Sequence, residues 1–134
     1  MNFKKIKKLT VLSSVLLGTL GLSGSALAAS SKSGILDNSI PVSGYVTLGY
    51  DSASASTSCS RTTCSVTATA TYYYYDGMNG QEIKTPAKVG SGFMTATANA
   101  VSPTAPTRAV KGTGNHIAYN NGPTTWNVDT IVYP

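Results

Sequence analysis

Residues 66–75 constrain the fold more than any other stretch of the chain. Val66, Ala68, Ala70, Tyr72 and Tyr74 alternate with Thr67, Thr69, Thr71, Tyr73 and Tyr75. A repeat of two sends one set to each face of an extended strand, whereas a helix would spread both sets around its circumference. A strand this long needs backbone partners and a cover for its apolar face. Parity therefore predicts that Tyr72 and Tyr74 cap a core. Tyr73 and Tyr75 then stand on the threonine face, open to solvent or to a partner.

The rest of the chain reads in the same way. Val46, Leu48 and Tyr50 alternate with Thr47 and Gly49, and strand character continues through a Ser/Ala run to Ser58. Cys59-Ser-Arg-Thr-Thr-Cys64 then reads as the end of an antiparallel hairpin whose second arm is the tyrosine strand. Asp76-Gly77 and Asn79-Gly80 are turn dipeptides, because Gly and Asn accept positive φ. Pro86 demotes the next stretch to loop or edge. Met94, Ala96, Ala98 and Ala100 mark a further strand, and Ser102-Pro103-Thr104-Ala105-Pro106 a turn or crossover. Arg108 to Lys111 and His116 to Tyr119 read as one strand broken by a bulge at Gly112 or Gly114. Asn120-Asn121-Gly122-Pro123 is a turn. The last strand, Thr125 to Tyr133, has Trp126, Val128 and Val132 on one side. The expectation is an all-β fold: a small antiparallel β-sandwich or barrel of five to six strands with one hairpin disulfide.

Residues 1–28 read as an address. Lys4, Lys5, Lys7 and Lys8 precede a mostly apolar run from Leu9 to Leu22, and Ala26-Leu27-Ala28 is a small-x-small cleavage site. This is the pattern of a cleaved signal peptide. Gly18, Gly21 and Gly24 interrupt the apolar run, which falls short of the roughly 20 residues of a membrane span. The expected organisation is a signal peptide over 1–28, a flexible N-terminal arm over 29–41 and a single β domain over 42–134.

Cleavage changes the charge argument. The full chain carries a net charge of +5. Loss of the four leader lysines leaves Lys32, Arg61, Lys84, Lys88, Arg108 and Lys111 against Asp37, Asp51, Asp76, Glu82 and Asp129, a net of +1. These cations are scattered along the sequence, so no nucleic-acid partner is expected. Only 11% of the chain is charged, against about a quarter in ordinary soluble domains; Thr, Ser, Asn and Tyr carry the solubility instead.

Cys59 and Cys64 are the only cysteines. In an exported chain they are expected to form a disulfide. Two thiols and one distant histidine do not complete a zinc set, and the spacing is not C-x-x-C; no metal or cofactor is expected. The histidine is His116. A catalytic triad would place it beside a nucleophile and an acid, and Asp129 lies one hairpin away, but no serine sits in a Gly-x-Ser-x-Gly elbow. The five acids are too dispersed to nominate a glycosidase pair. No catalytic residue is assigned. Tyr73 and Tyr75 remain the possible binding surface, since exposed aromatics on a flat sheet stack on sugars or pack on partners.

A cleaved leader, a short Thr/Ser/Tyr-rich β domain, a late strand with His116 and a final strand with Trp126 together resemble small secreted proteins of Gram-positive bacteria. Some of these are β-sandwich bacteriocins of the lactococcin 972 type. The resemblance is one of layout and transfers no functional residue. The leading expectation is a secreted, extracellular, non-enzymatic β-sandwich that acts by contact with a surface glycan, cell-wall or protein ligand, with no membrane span in its mature form. A bacteriocin-like antagonist of related bacteria and an exported hydrolase dependent on His116 are the alternatives.

Overall fold

Alternating short polar and apolar residues make most of the described residues strand. The computed structural model describes residues 27–77, 80–106 and 108–134; of the expected signal peptide over 1–28, residues 1–26 lie outside them. In chain order the strands are β1 (Ala28–Leu36), β2 (Ile40–Leu48), β3 (Ser52–Cys59), β4 (Ser65–Tyr75), β5 (Glu82–Lys84), β6 (Lys88–Phe93), β7 (Thr95–Val101), β8 (Arg108–Tyr119) and β9 (Thr125–Val132). One antiparallel sheet runs β1-β2-β3-β7. The other has β4 at its centre, with β8 and then β9 on one side and β5 and β6 end to end on the other. The fold is all-β, an antiparallel two-sheet sandwich with one disulfide, and the described residues form nine strands where five or six were expected. Among the described residues no helix is long and apolar enough to cross a membrane.

The additional strands have local causes. The segment read as one strand from Val46 to Ser58 folds back at Gly49-Tyr50-Asp51, closed by Gly49 N–H donating to the Ser52 carbonyl at 2.7 Å. Pro86 splits the outer edge into β5 and β6. At that break Thr85 patches the ladder: its N–H donates to the Tyr72 carbonyl, and its hydroxyl accepts from the Tyr72 N–H.

Residues 29–36, expected to belong to a flexible arm, are instead part of the edge strand β1 together with Ala28, the last residue of the expected leader; β1 pairs with β2 from Ala28↔Leu48 to Leu36↔Ile40. The reason is a turn. Asp37 and Asn38 both adopt positive φ, the conformation that lets a tight hairpin follow the right-handed strand twist. Leu36 is then fully buried, and the Trp126 indole packs directly against the backbone of Gly34.

The cysteine loop turns the chain between consecutive strands, but β3 and β4 are not ladder partners. The arms expected to pair as a hairpin enter different sheets: β3 pairs with β2 and β7, and β4 with β5, β6 and β8. The Cys59–Cys64 disulfide thus ties one sheet to the other. Met94 crosses at the same corner with left-handed backbone. Its carbonyl accepts from Cys59 N–H at 2.7 Å, and its N–H donates to the Cys64 carbonyl at 3.1 Å. Both cysteines are buried. In the native protein, thiol labelling is expected to modify neither cysteine until the chain is reduced and unfolded. Replacing both by serine is expected to cost about 2 kcal/mol in denaturant melts, the low end of the disulfide range, because the ring is short. Labelling of both cysteines in the native, unreduced protein would overturn the assignment.

The bulge in β8 also differs from expectation. It does not fall at Gly112 or Gly114: the register shifts opposite Tyr73 and Tyr74, between Lys111 and Ala109. The two glycines instead let the sheets approach. A Cβ on Gly112 would lie 2.9 Å from that of Ala53, and one on Gly114 would lie 3.2 Å from that of Ala55, both in the facing sheet.

Candidate functional site

The sequence left His116 without an assigned role and named Tyr73 and Tyr75 as a possible binding surface, and the structure puts the histidine and the pair on opposite sides of one sheet. His116 points inward from β8 and is completely buried. Its ring lies on the backbone of Gly44 in the facing sheet, where a Cβ would clash with the imidazole Cγ. Nδ1 is 2.9 Å from Thr57 Oγ1, and Nε2 is 2.8 Å from Thr130 Oγ1. Thr57 donates its one hydroxyl proton to the Thr67 carbonyl at 2.9 Å. It therefore accepts from Nδ1–H, and Nε2 accepts from Thr130, which makes the ring a fully paired neutral imidazole. Burial lowers its pKa from 6.5 to about 4, against an opposing pull from Asp129.

Asp129, the acid one hairpin away from His116 in the sequence, is on the other face. It is exposed, and its Oδ1 accepts from Asn115 Nδ2 at 2.9 Å. His116 therefore meets two threonines in the core and no carboxylate. Asp51 sits in the β2–β3 turn and Asp76 just past the end of β4, so the acids stay dispersed. No group of three or more His, Cys, Asp or Glu side chains is placed to hold a metal ion among the described residues.

The outer face of the β4 sheet carries a different chemistry. Parity along β4 holds as read: Tyr72 and Tyr74 are buried, while Tyr73 and Tyr75 are half-buried on the outer face with Thr67, Thr69 and Thr71. Ladder pairing extends this face sideways into rows. Thr69 lies beside Asn115 and then Asp129; Thr71 lies beside Thr113 and then Ile131. These six residues line a shallow groove of about 450 Å³, with Lys32 of β1 at its rim. Asn115 fixes the polar groups at the groove by donating to Asn127 Oδ1 at 2.8 Å as well as to Asp129. Because each residue stands on a paired backbone, the arrangement is rigid.

At the other end of the face the tyrosines are not bare. Lys111 Nζ sits 4.5 Å from the Tyr73 ring centroid, and Arg108 Cζ 4.6 Å from that of Tyr75. Lys111 also approaches Glu82 at 3.9 Å. Sequence reading missed Arg108, Lys111 and Asn115. Asn115 shares strand parity with Lys111 and Thr113 and was legible as an outward residue. Arg108 was not: it stands three positions from Lys111, and in a regular strand the two would face opposite ways. The bulge at Val110 turns both outward, which is what bulges do near functional surfaces.

No family model, curated protein or solved structure matches the chain.

Proposed function

We propose that the protein is a secreted, non-enzymatic β-sandwich acting by contact at or outside the cell surface, and that the outer face of the β4 sheet binds a glycan there. The observation that carries this reading is the groove beside the amide–carboxylate cluster. Three threonine hydroxyls, an asparagine amide and a carboxylate project from adjacent ladder rows. Sugars offer many neutral hydroxyls on a fixed ring. A fixed set of mixed donors and acceptors meets them without paying ordering entropy at each contact. The buried disulfide and the leader-like N-terminus support a place outside the cytoplasm.

Co-sedimentation with insoluble polysaccharides and purified cell walls tests the proposal. Saturable binding is expected for at least one glycan. Asn115→Ala is expected to weaken it about tenfold or more, because one hydrogen-bonding group and the orientation of Asp129 are lost together. Its melting curve should stay close to that of the unaltered protein, since the residue lies on the outer face. Absence of binding to every glycan, or full binding by Asn115→Ala, would overturn the reading.

A further inference from the structure

We infer that the glycan is acidic, with its carboxylates received by Arg108, Lys111 and Lys84 at the tyrosine end of the face. This deepens the glycan reading of the same surface and rests on it. A ligand approaching Tyr73 and Tyr75 meets the cations seated over their rings before it meets the rings. Those tyrosines serve as supports: ring contact holds a lysine ammonium and an arginine guanidinium in place. A guanidinium so held keeps the planar fork that matches a carboxylate with two parallel hydrogen bonds. Lys84 is the ladder partner of Tyr73 and is exposed, so one row runs Lys84, Tyr73, Lys111.

The local charge balance agrees. Three cations stand on the ladder rows at this end, where the one carboxylate in those rows is Glu82, which Lys111 approaches only at 3.9 Å; Asp76 lies beyond the end of β4. The other acid of this face, Asp129, lies across the groove and is engaged by Asn115. Among the described residues no carboxylate forms an ion pair with Arg108 or Lys84. Neutral hydroxyls in the groove and the cations beside it fit a polysaccharide in which acidic units carry carboxylates next to ordinary hydroxyls.

The test compares one backbone in two charge states: polygalacturonate and its methyl ester, titrated by calorimetry against the disulfide-intact chain, with alginate and hyaluronate as further uronates. The acid is expected to bind at least tenfold more tightly than the ester, with affinity falling as salt rises. Arg108→Gln combined with Lys111→Gln should remove that advantage and leave ester binding unchanged. If that double variant melts early, Lys84→Gln, on the exposed β5, should reduce the acid preference by itself. Equal affinity for acid and ester would overturn the acidic assignment while leaving the glycan reading standing. So would binding of neutral glycans with none to the three uronates. Polyphosphate bound as tightly as the uronates would replace it with charge attraction alone. Failure of every glycan, charged or neutral, would take down both.

Discussion

Tyr72→Ala is expected to lower stability by about 3–5 kcal/mol, as for other buried aromatics truncated to alanine. Tyr72 is fully buried, stacks on Tyr74 at a centroid distance of 5.4 Å, and donates its hydroxyl to the Tyr50 carbonyl at 2.5 Å. Burial, reinforced by Asp51, raises its pKa to about 12, so the hydroxyl remains a donor. Against a typical total of about 5–15 kcal/mol, this is enough to leave the domain marginal. Tyr72→Phe isolates the hydroxyl and should cost about 1 kcal/mol. Tyr73→Ala and Tyr75→Ala should each cost about 1 kcal/mol or less, because their rings are half-buried on the outer face. Urea melts of the alanine variants decide the matter. Equal losses at Tyr72, Tyr73 and Tyr75 would mean that both faces are core, leaving the proposed surface no exposed tyrosine side.

Acid is expected to destabilise the protein through His116, in a window set by its two pKa values. The ring titrates near 6.5 when unfolded and near 4 when folded. Between those values the unfolded chain binds more protons, so stability falls as pH falls. The contribution is whole above about pH 6.5 and gone by about pH 4. The difference corresponds to about 3 kcal/mol at most. The hydrogen bonds point the same way. A second proton on Nε2 would displace the one Thr130 donates, and that hydroxyl could then turn only to the Gly114 carbonyl, 3.5 Å away. Carboxylates titrate in part of this range, so the readout is a difference. Stability from pH 4 to 8 is compared between the unaltered protein and His116→Gln, which loses stability at pH 7 but should show a flatter profile. Parallel profiles would show that the ring is not the group responsible.

Local repetition is what made the sequence readable. The alternation through Val66 and Tyr74 depends only on the two-residue period of a strand, so the burial of Tyr72 and Tyr74 followed from the sequence. The β7 and β9 segments were legible for the same reason. The β1 strand was not, because Ser30, Ser31 and Ser33 give no apolar alternation. Its order comes from the Asp37-Asn38 turn and from backbone pairing to β2, and a turn signal without a flanking pattern is easily read as loop.

By itself the sequence determined the class of structure, the parity of the tyrosine strand and the two cysteines to be joined. Each is set by residue type at short separation. Only the tertiary structure decided which sheet each strand enters, and with that the character of the surface. Pairing β4 with β8 placed His116 inside and Asp129 outside, separating a histidine and an acid that spacing alone left free to meet. The bulge at Val110 put Arg108 over Tyr75 and turned an expected aromatic surface into a cationic one. Both outcomes rest on register between strands far apart in sequence, and a one-residue change in register reverses the face of every side chain beyond it.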